Sequence, residues 1–256
     1  MFHRLRQWFT NRACRRQHVT VPNHQRRARP QLELLEDRLT PAMGGMMSMP
    51  MPMPIMAPLP PPQQPSVSLG FGPGGEVLEV VSSNGVLTQL DRAGAHLLAG
   101  GVRSASVAFT PLGQEVLAVV FQNGLLVQFD AAGAHMLAAG VRSASVAFGP
   151  SGEVFDVVSS NGMLTQFDAM GAHVLMGAGV GSVSVAFSPM GEVLDIVSTN
   201  GMLTQFDTAG AHPMSTVLSA AVSFPGGQWT EVVIMPDGSL FQFDAAGVGH
   251  FLVKVP

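Results

Sequence analysis

The chain of 256 residues is 46% hydrophobic and only 12% charged, and it contains no tyrosine and one cysteine, Cys14. A single cysteine excludes an intrachain disulfide, and the low charge indicates either a membrane span or sheets that are buried on both faces. Nine arginines and three acids lie within positions 1–38, a net charge of +6, whereas the rest holds four basic and 14 acidic residues, a net charge of −10. An acidic body argues against nucleic acid as a partner, because phosphate binding needs clustered Lys and Arg.

Residues 1–42 form a basic N-terminal segment with arginine pairs but no apolar stretch of roughly 7–15 residues, so they are not an ordinary secretory signal peptide. The run LELLEDRLTP at 32–41 resembles the Leu-Glu-x-Leu-Glu-Asp-Arg leader of secreted and surface proteins of planctomycete-type bacteria. The resemblance implies export, and possible surface attachment through residues 1–42. The alternative is a basic amphipathic helix that contacts nucleic acid or an anionic membrane.

Residues 43–65 hold seven Met and eight Pro. Closely spaced prolines remove backbone donors and favour polyproline II, which predicts a semi-rigid linker of up to roughly 70 Å at ~3.1 Å per residue. The repeated Met-x-Met pattern also suggests copper(I), a soft metal that thioethers bind. An extended chain would scatter these sulfurs, and no His or Cys lies among them, so we expect a spacer and no cofactor.

A repeat occupies residues 66–256. The stretch NGMLTQFD occurs at 161–168 and again at 200–207, and weaker copies begin at Asn84, Asn123 and Asp237. The spacing of 37 to 39 residues is typical of a repeat architecture. Five units begin near Ser66, Ser104, Ser143, Ser182 and Ser219.

Each unit divides at turn signals into four short runs rich in Val, Phe, Leu and Thr, and Asn-Gly between two such runs predicts a β-hairpin. The second run, for example Val154–Val158, is almost continuously apolar, as expected where sheets are covered on both faces. Small sheets stacked around an axis satisfy this requirement better than a sandwich or barrel does. The sequence therefore predicts an all-β fold, a five-bladed β-propeller with four antiparallel strands per blade and no transmembrane segment.

The unit SVAFGPSGEVFDVVSSNGMLTQFD is similar to the WD-repeat consensus, although Phe-Asp or Leu-Asp stands where that family has Trp-Asp. The resemblance implies that the first strand of each blade is innermost and the fourth outermost. Because every unit then supplies all its own strands, we expect the ring to close by packing between blades 1 and 5, without strand exchange.

Four polar residues recur in every unit. We interpret the histidines as turn or edge residues, because outer strands lie too far apart for a shared metal. A catalytic pair needs two different environments, so we interpret the repeated Asp as turn-forming and the repeated Glu as solvated, and we expect the Gln to bond backbone between blades. These residues are His96, His135, His173, His212 and His250; Asp91, Asp130, Asp168, Asp207 and Asp244; Glu76, Glu115, Glu153, Glu192 and Glu231; Gln89, Gln128, Gln166, Gln205 and Gln242.

Function in a near-symmetric repeat is expected where the repeat is broken. Arg103 and Arg142 enter blades 2 and 3, Phe121 and Gln122 precede the Asn-Gly turn of blade 2, and Trp229 is the only tryptophan of the repeats. We predict that these residues contact a protein or glycan, and that the chain is a non-enzymatic, exported binding or scaffold module without a metal. The alternatives are a multivalent carbohydrate-binding lectin and a glycan-active hydrolase.

Overall fold

A computed structural model describes residues 63–255. The predicted leader, and the spacer up to residue 62, lie outside the described residues. The described residues form five sheets of four antiparallel strands, and the only helical element among them is a three-residue 3₁₀ turn, Pro225–Gly227. The prediction of a five-bladed propeller is confirmed.

Each blade consists of four consecutive strands in spatial order. Blade 1 contains β1 (Ser66–Gly72), β2 (Gly75–Val81), β3 (Leu87–Asp91) and β4 (Gly94–Ala99). Blade 2 contains β5 (Val102–Phe109), β6 (Glu115–Phe121), β7 (Leu126–Asp130) and β8 (Gly133–Ala138). Blade 3 contains β9 (Val141–Gly149), β10 (Gly152–Ser159), β11 (Leu164–Asp168) and β12 (Gly171–Met176).

Blade 4 contains β13 (Val180–Ser188), β14 (Gly191–Ser198), β15 (Met202–Asp207) and β16 (Gly210–Thr216). Blade 5 contains β17 (Ser219–Ser223), β18 (Thr230–Ile234), β19 (Ser239–Phe243) and β20 (Gly249–Lys254). The first strand of a blade begins up to two residues before the serine that marks the unit in the sequence, as at Val141 before Ser143.

The predicted turns form from local chemistry. In blade 3, Gly162 has φ 81°, a conformation that glycine adopts without steric cost, and Asn161 Oδ1 accepts a hydrogen bond from the Met163 N–H at 3.1 Å. At the other end of β11, Asp168 Oδ1 accepts from the N–H of Met170 at 2.7 Å. The repeated Asp is therefore a turn-forming residue, as the sequence predicts.

The first strands line the axis of the ring and are joined by serine hydroxyls. Ser106 Oγ accepts the N–H of Val146 in the next blade at 3.1 Å, and Ser68, Ser145 and Ser184 make the equivalent bond. Alternating Ser and Ala or Val side chains leave an axial cavity of about 20 Å³, which is room for about one water molecule.

Apolar side chains fill the space between blades. The first residue of the third strand is a leucine in blades 1 to 3 and the second residue is a leucine in blades 4 and 5, and all five leucines are at most 1% exposed. These leucines are Leu87, Leu126, Leu164, Leu203 and Leu240. The fourth strands are mostly exposed, and every residue of β16 is.

The ring closes between blades 5 and 1 through hydrogen bonds as well as packing. The Val67 N–H donates to Ser219 Oγ at 3.2 Å. Ser219 lies two residues earlier in the repeat than the serine that accepts the bond at the other junctions, because Ala221 replaces that serine. Val255 donates its N–H to Gly238 O at 2.8 Å and is buried in the same cluster as Val67. The residue that follows the last strand thus helps to hold the two blades together.

Candidate functional site

Four of the five predicted contact residues lie at one end of the ring. Arg103 and Arg142 stand at the start of the first strands of blades 2 and 3, while Phe121 and Gln122 lie where the second strand of blade 2 ends. Because consecutive strands are antiparallel, the start of a first strand and the end of a second strand meet at the same end of a blade. We call these four residues the arginine face.

The two arginines are held in the same way. Arg103 Nη2 donates to the Gln122 carbonyl at 2.9 Å, and Arg142 Nη2 donates to the Ser160 carbonyl, its equivalent in blade 3, at 3.0 Å. Their other guanidinium N–H groups make no hydrogen bond within residues 63–255. Two half-buried guanidinium groups are therefore held in place on neighbouring blades, and each keeps N–H donors that a partner can use. Gly181 occupies the equivalent position in blade 4 and Leu218 that in blade 5, so an arginine stands at this position only in blades 2 and 3.

The chain that enters blade 1 contacts this face. Gln63 Nε2 donates to the carbonyls of Val102, at 2.6 Å, and Arg103, at 3.1 Å, and Gln122 Nε2 donates to Gln63 Oε1 at 2.9 Å. Gln122 is exposed and Phe121 is half-buried. This contact could not be predicted, because Gln63 belongs to a segment without periodicity.

Trp229 lies at the opposite end of the ring, in the loop between β17 and β18, so the structure does not bring it together with the other four residues. It is half-buried and packs with Phe224 against Ala186, Val193 and Val222. Its Nε1 is buried and has no hydrogen-bond partner within residues 63–255.

The repeated His and Asp residues form five equivalent pairs at the outer edge. Each His Nε2 lies 3.1 to 3.7 Å from a carboxylate oxygen of the Asp that closes the third strand of its own blade. The N–H of Ala209 lowers the pKa of Asp207 by bonding to its carboxylate, and His212 lowers it further. Within residues 63–255, no three His, Cys, Asp or Glu side chains gather as a metal-binding group.

The repeated Gln and Glu residues differ from the expectation. Four glutamines bond not to backbone but to the Glu of the next blade, for example Gln128 Nε2 to Glu153 Oε1 at 2.9 Å, and Gln242 to Glu76 across the closing junction at 3.3 Å. The glutamates are not uniformly solvated, since Glu231 is 1% exposed. The side chains of the other four glutamates point at the neighbouring blade, where the glutamine amide bonds to them.

Glu231 is also out of step with the other four glutamates. It pairs with Val222 and Phe243, as Leu194 pairs with Val185 and Phe206 in blade 4, so it takes an apolar position. Trp229 falls at the position of Glu192, nine residues before the Gly of the hairpin.

Three further acids were missed by the sequence analysis. Glu79, Asp156 and Asp195 lie in the middle of the second strands and are at most 1% exposed. The available signal was an acid inside an apolar run, as in VFDVV, which a solvated turn residue would not explain.

The chain matches no protein family, and no curated protein is significantly similar to it in sequence. Within residues 63–255, no helix combines the length and the hydropathy that crossing a membrane requires. The class that the fold defines is a five-bladed β-propeller.

Proposed function

We propose that this protein is a non-enzymatic, exported or surface-attached binding module, and that it presents the arginine face to a protein or glycan partner. The observation that carries the proposal is the pair of equivalent guanidinium groups, Arg103 and Arg142, each fixed by one bond to a loop carbonyl. The export part of the proposal rests on the resemblance of residues 32–41 to a surface-protein leader.

Carboxylates are the partner chemistry that this face favours. A guanidinium group presents several N–H donors in a plane and recognises a carboxylate with two of them. Of the four basic residues in the repeats, Arg103 and Arg142 lie on this face and Lys254 ends a strand at the same end, whereas the repeated Asp residues close their strands at the opposite end. A glycan with uronate groups or a peptide rich in Asp and Glu would meet an oppositely charged surface.

The test uses the full chain on an array printed with neutral glycans, uronate-bearing glycans and Asp/Glu-rich peptides. We expect the carboxylate probes to bind and the neutral glycans not to bind. The double variant Arg103→Ala/Arg142→Ala should bind at least about 100-fold more weakly, because it removes two charge-assisted contacts that contribute about 1.5–3 kcal/mol each. Its melting temperature should stay within about 2 °C of the parent, since surface substitutions that leave the core intact rarely change stability by more than about 0.5 kcal/mol.

Arg92→Ala is the matched control, because Arg92 is an exposed arginine in the turn between β3 and β4, at the opposite end of the ring. It should leave binding unchanged. If Arg92→Ala weakens binding as much as the double variant does, or if no carboxylate probe binds, the arginine face is not the binding site.

A further inference from the structure

At three of the five blade junctions a buried carboxyl group faces a second carboxyl group. Glu79 of blade 1 faces Glu115 of blade 2, and Asp156 of blade 3 faces Glu192 of blade 4. At the next junction Asp195 faces Glu231. Glu79, Asp156, Asp195 and Glu231 are all at most 1% exposed.

The strand register explains why the acids meet. In blade 3, Ser145 pairs with Asp156, Asp156 with Gln166, and Gln166 with His173, so these four side chains form one row across the blade on the same face. The row faces the next blade, because the Gln166 amide reaches the Glu192 carboxylate there. Blades 1 and 4 repeat the arrangement with Glu79 and Asp195.

The protein supplies few partners for these carboxyl groups. Both carboxyl oxygens of Glu79 and of Asp156 are buried without a hydrogen bond, and one oxygen each of Glu115, Asp195 and Glu231 is in the same state. One glutamine amide serves each junction; at the third, Gln205 Nε2 donates to Asp195 Oδ1 at 3.0 Å. Within residues 63–255, no lysine or arginine forms a salt bridge with any of these acids.

Two carboxyl groups that face each other across such a junction cannot easily both be ionised, because burial disfavours the charged form and each charge repels the other. Burial, opposed by the Gln89 bond and reinforced by the charge of Asp91, raises the pKa of Glu115 to about 7. Burial together with the Glu192 charge raises the pKa of Asp156 to about 7. Burial also raises the pKa of Glu79, Asp195 and Glu231, and the partner acid adds to this for Glu79 and Glu231.

We propose that each of these three junctions binds at least one proton that the two carboxyl groups share, and that the ring is a pH-sensitive assembly whose blades are held most firmly in mild acid. In the protonated pair, one carboxyl O–H donates to the partner carboxylate and replaces the repulsion with a hydrogen bond. The device concerns the junctions and does not depend on the arginine face.

The direction of the pH effect follows from the raised pKa values. The folded ring holds protons that the unfolded chain has released, so the stabilisation is fully present below the ordinary carboxyl pKa of about 4. It is lost progressively as the pH rises towards about 7, the pKa of Glu115 and Asp156 in the ring. Burial and the Asp195 charge raise the pKa of Glu231 to about 8, so the third junction keeps its proton to a higher pH, and the junctions are weakest once every pair is ionised.

Other titratable groups lie near the same rows. The charge of Asp91 raises the pKa of both acids of the first junction. The outer end of each row carries a histidine, His96, His173 or His212. A histidine pairs with an Asp in the same way in all five blades, including the two without an acid pair at the junction. A variant that changes only the central acids therefore separates the two contributions.

The ring contains its own controls. Ala118 and Val232 occupy the positions of Glu79 in blades 2 and 5, so Glu153 and Glu76 face no second acid. These two junctions have the same Gln–Glu bond as the junctions between blades 1 and 2 and between blades 3 and 4. The acid pair is thus an addition to the repeat and not a requirement of the fold.

The test compares the melting temperature (Tm) of the full chain at pH values from about 5 to about 8.5 with that of the triple variant Glu79→Gln/Asp156→Asn/Asp195→Asn. Each amide is isosteric with the protonated acid and cannot ionise. We expect the wild-type Tm to fall across this range and the triple variant to lose at least half of that fall. Glu76→Gln, the matched change at the junction with Val232, should keep the wild-type slope.

Two further measurements keep the proposal falsifiable if the triple variant fails to fold. Each single amide variant should remove about a third of the slope, and the infrared carbonyl band of protonated carboxyl groups should be present in the wild type near neutral pH. A wild-type Tm that is flat or rises with pH, or an absent carbonyl band, would overturn the proposal. So would a rise in Tm on adding calcium chloride at pH 8.5 in the wild type alone, because a divalent cation would then be the neutralising partner.

Discussion

The third and fourth strands of a blade come from the same repeat, yet a leucine in the third strand is buried and a leucine in the fourth can be exposed. Leu87 opens β3 and is 1% exposed, whereas Leu97, in the neighbouring strand β4, is 73% exposed. The difference arises because the third strand lies between two neighbouring blades, while the fourth strand is the outer edge of its sheet. The place of a residue within the blade, and not its hydrophobicity, decides what it contributes to stability.

The largest expected effect comes from truncating a leucine between blades. Leu164 is fully buried with Val158, Val180, Val183 and Ile196, so Leu164→Ala leaves a cavity between blades 3 and 4. We expect the free energy of unfolding to fall by about 2–5 kcal/mol. Urea denaturation followed by tryptophan fluorescence or circular dichroism measures this loss.

Leu97→Ala is the control for that variant, since it makes the same chemical change on an outer strand. It should alter stability by no more than about 0.5 kcal/mol. Equal losses in the two variants would break the comparison, because they would show that the outer strands are covered by another chain in solution.

A smaller effect is expected at the closing junction. Val255 is 7% exposed and packs with Val67, Leu69 and Val80 of blade 1, whereas Val253, two residues earlier, is 45% exposed on β20. Val255→Ala should lower the free energy of unfolding by about 2 kcal/mol, from roughly 0.8 kcal/mol for each buried methyl-sized group plus the cavity.

Val253→Ala should cost well under half as much in the same urea titration. If the two changes cost the same, Val255 is not part of the closure and the blades are held by the remaining contacts alone.

The sequence was sufficient to predict the architecture, because the fold depends on features that repeat. Asn161-Gly162 marks a hairpin, and the apolar run at Val154–Val158 requires cover on both faces. What it could not provide were contacts that depend on register between blades. Glu231 matches the repeated glutamate in sequence, but its pairing with Val222 shows a shift of two residues. The contact of Gln63 with blade 2 was equally hidden, since no local pattern encodes where a linker ends.

The smallest expected effect lies at the hairpin turns, where the inner and outer parts of a blade connect. Gly162 has φ 81°, and a Cβ there would approach Gly179 N to 3.1 Å and Val180 O to 3.3 Å, both backbone atoms of the next turn. Gly162→Ala should therefore lower the free energy of unfolding by about 1 kcal/mol, the cost of forcing a side chain into a left-handed conformation.

Gly177, which follows the outer strand β12, is the control: a Cβ there meets nothing within 4 Å and its φ is not positive. Gly177→Ala should be neutral or slightly stabilising, because alanine restricts the unfolded chain without straining the folded one. A loss at Gly177 as large as that at Gly162 would mean that the end of the outer strand is as constrained as the inner hairpin, and the contrast between the two parts of the blade would not extend to the backbone.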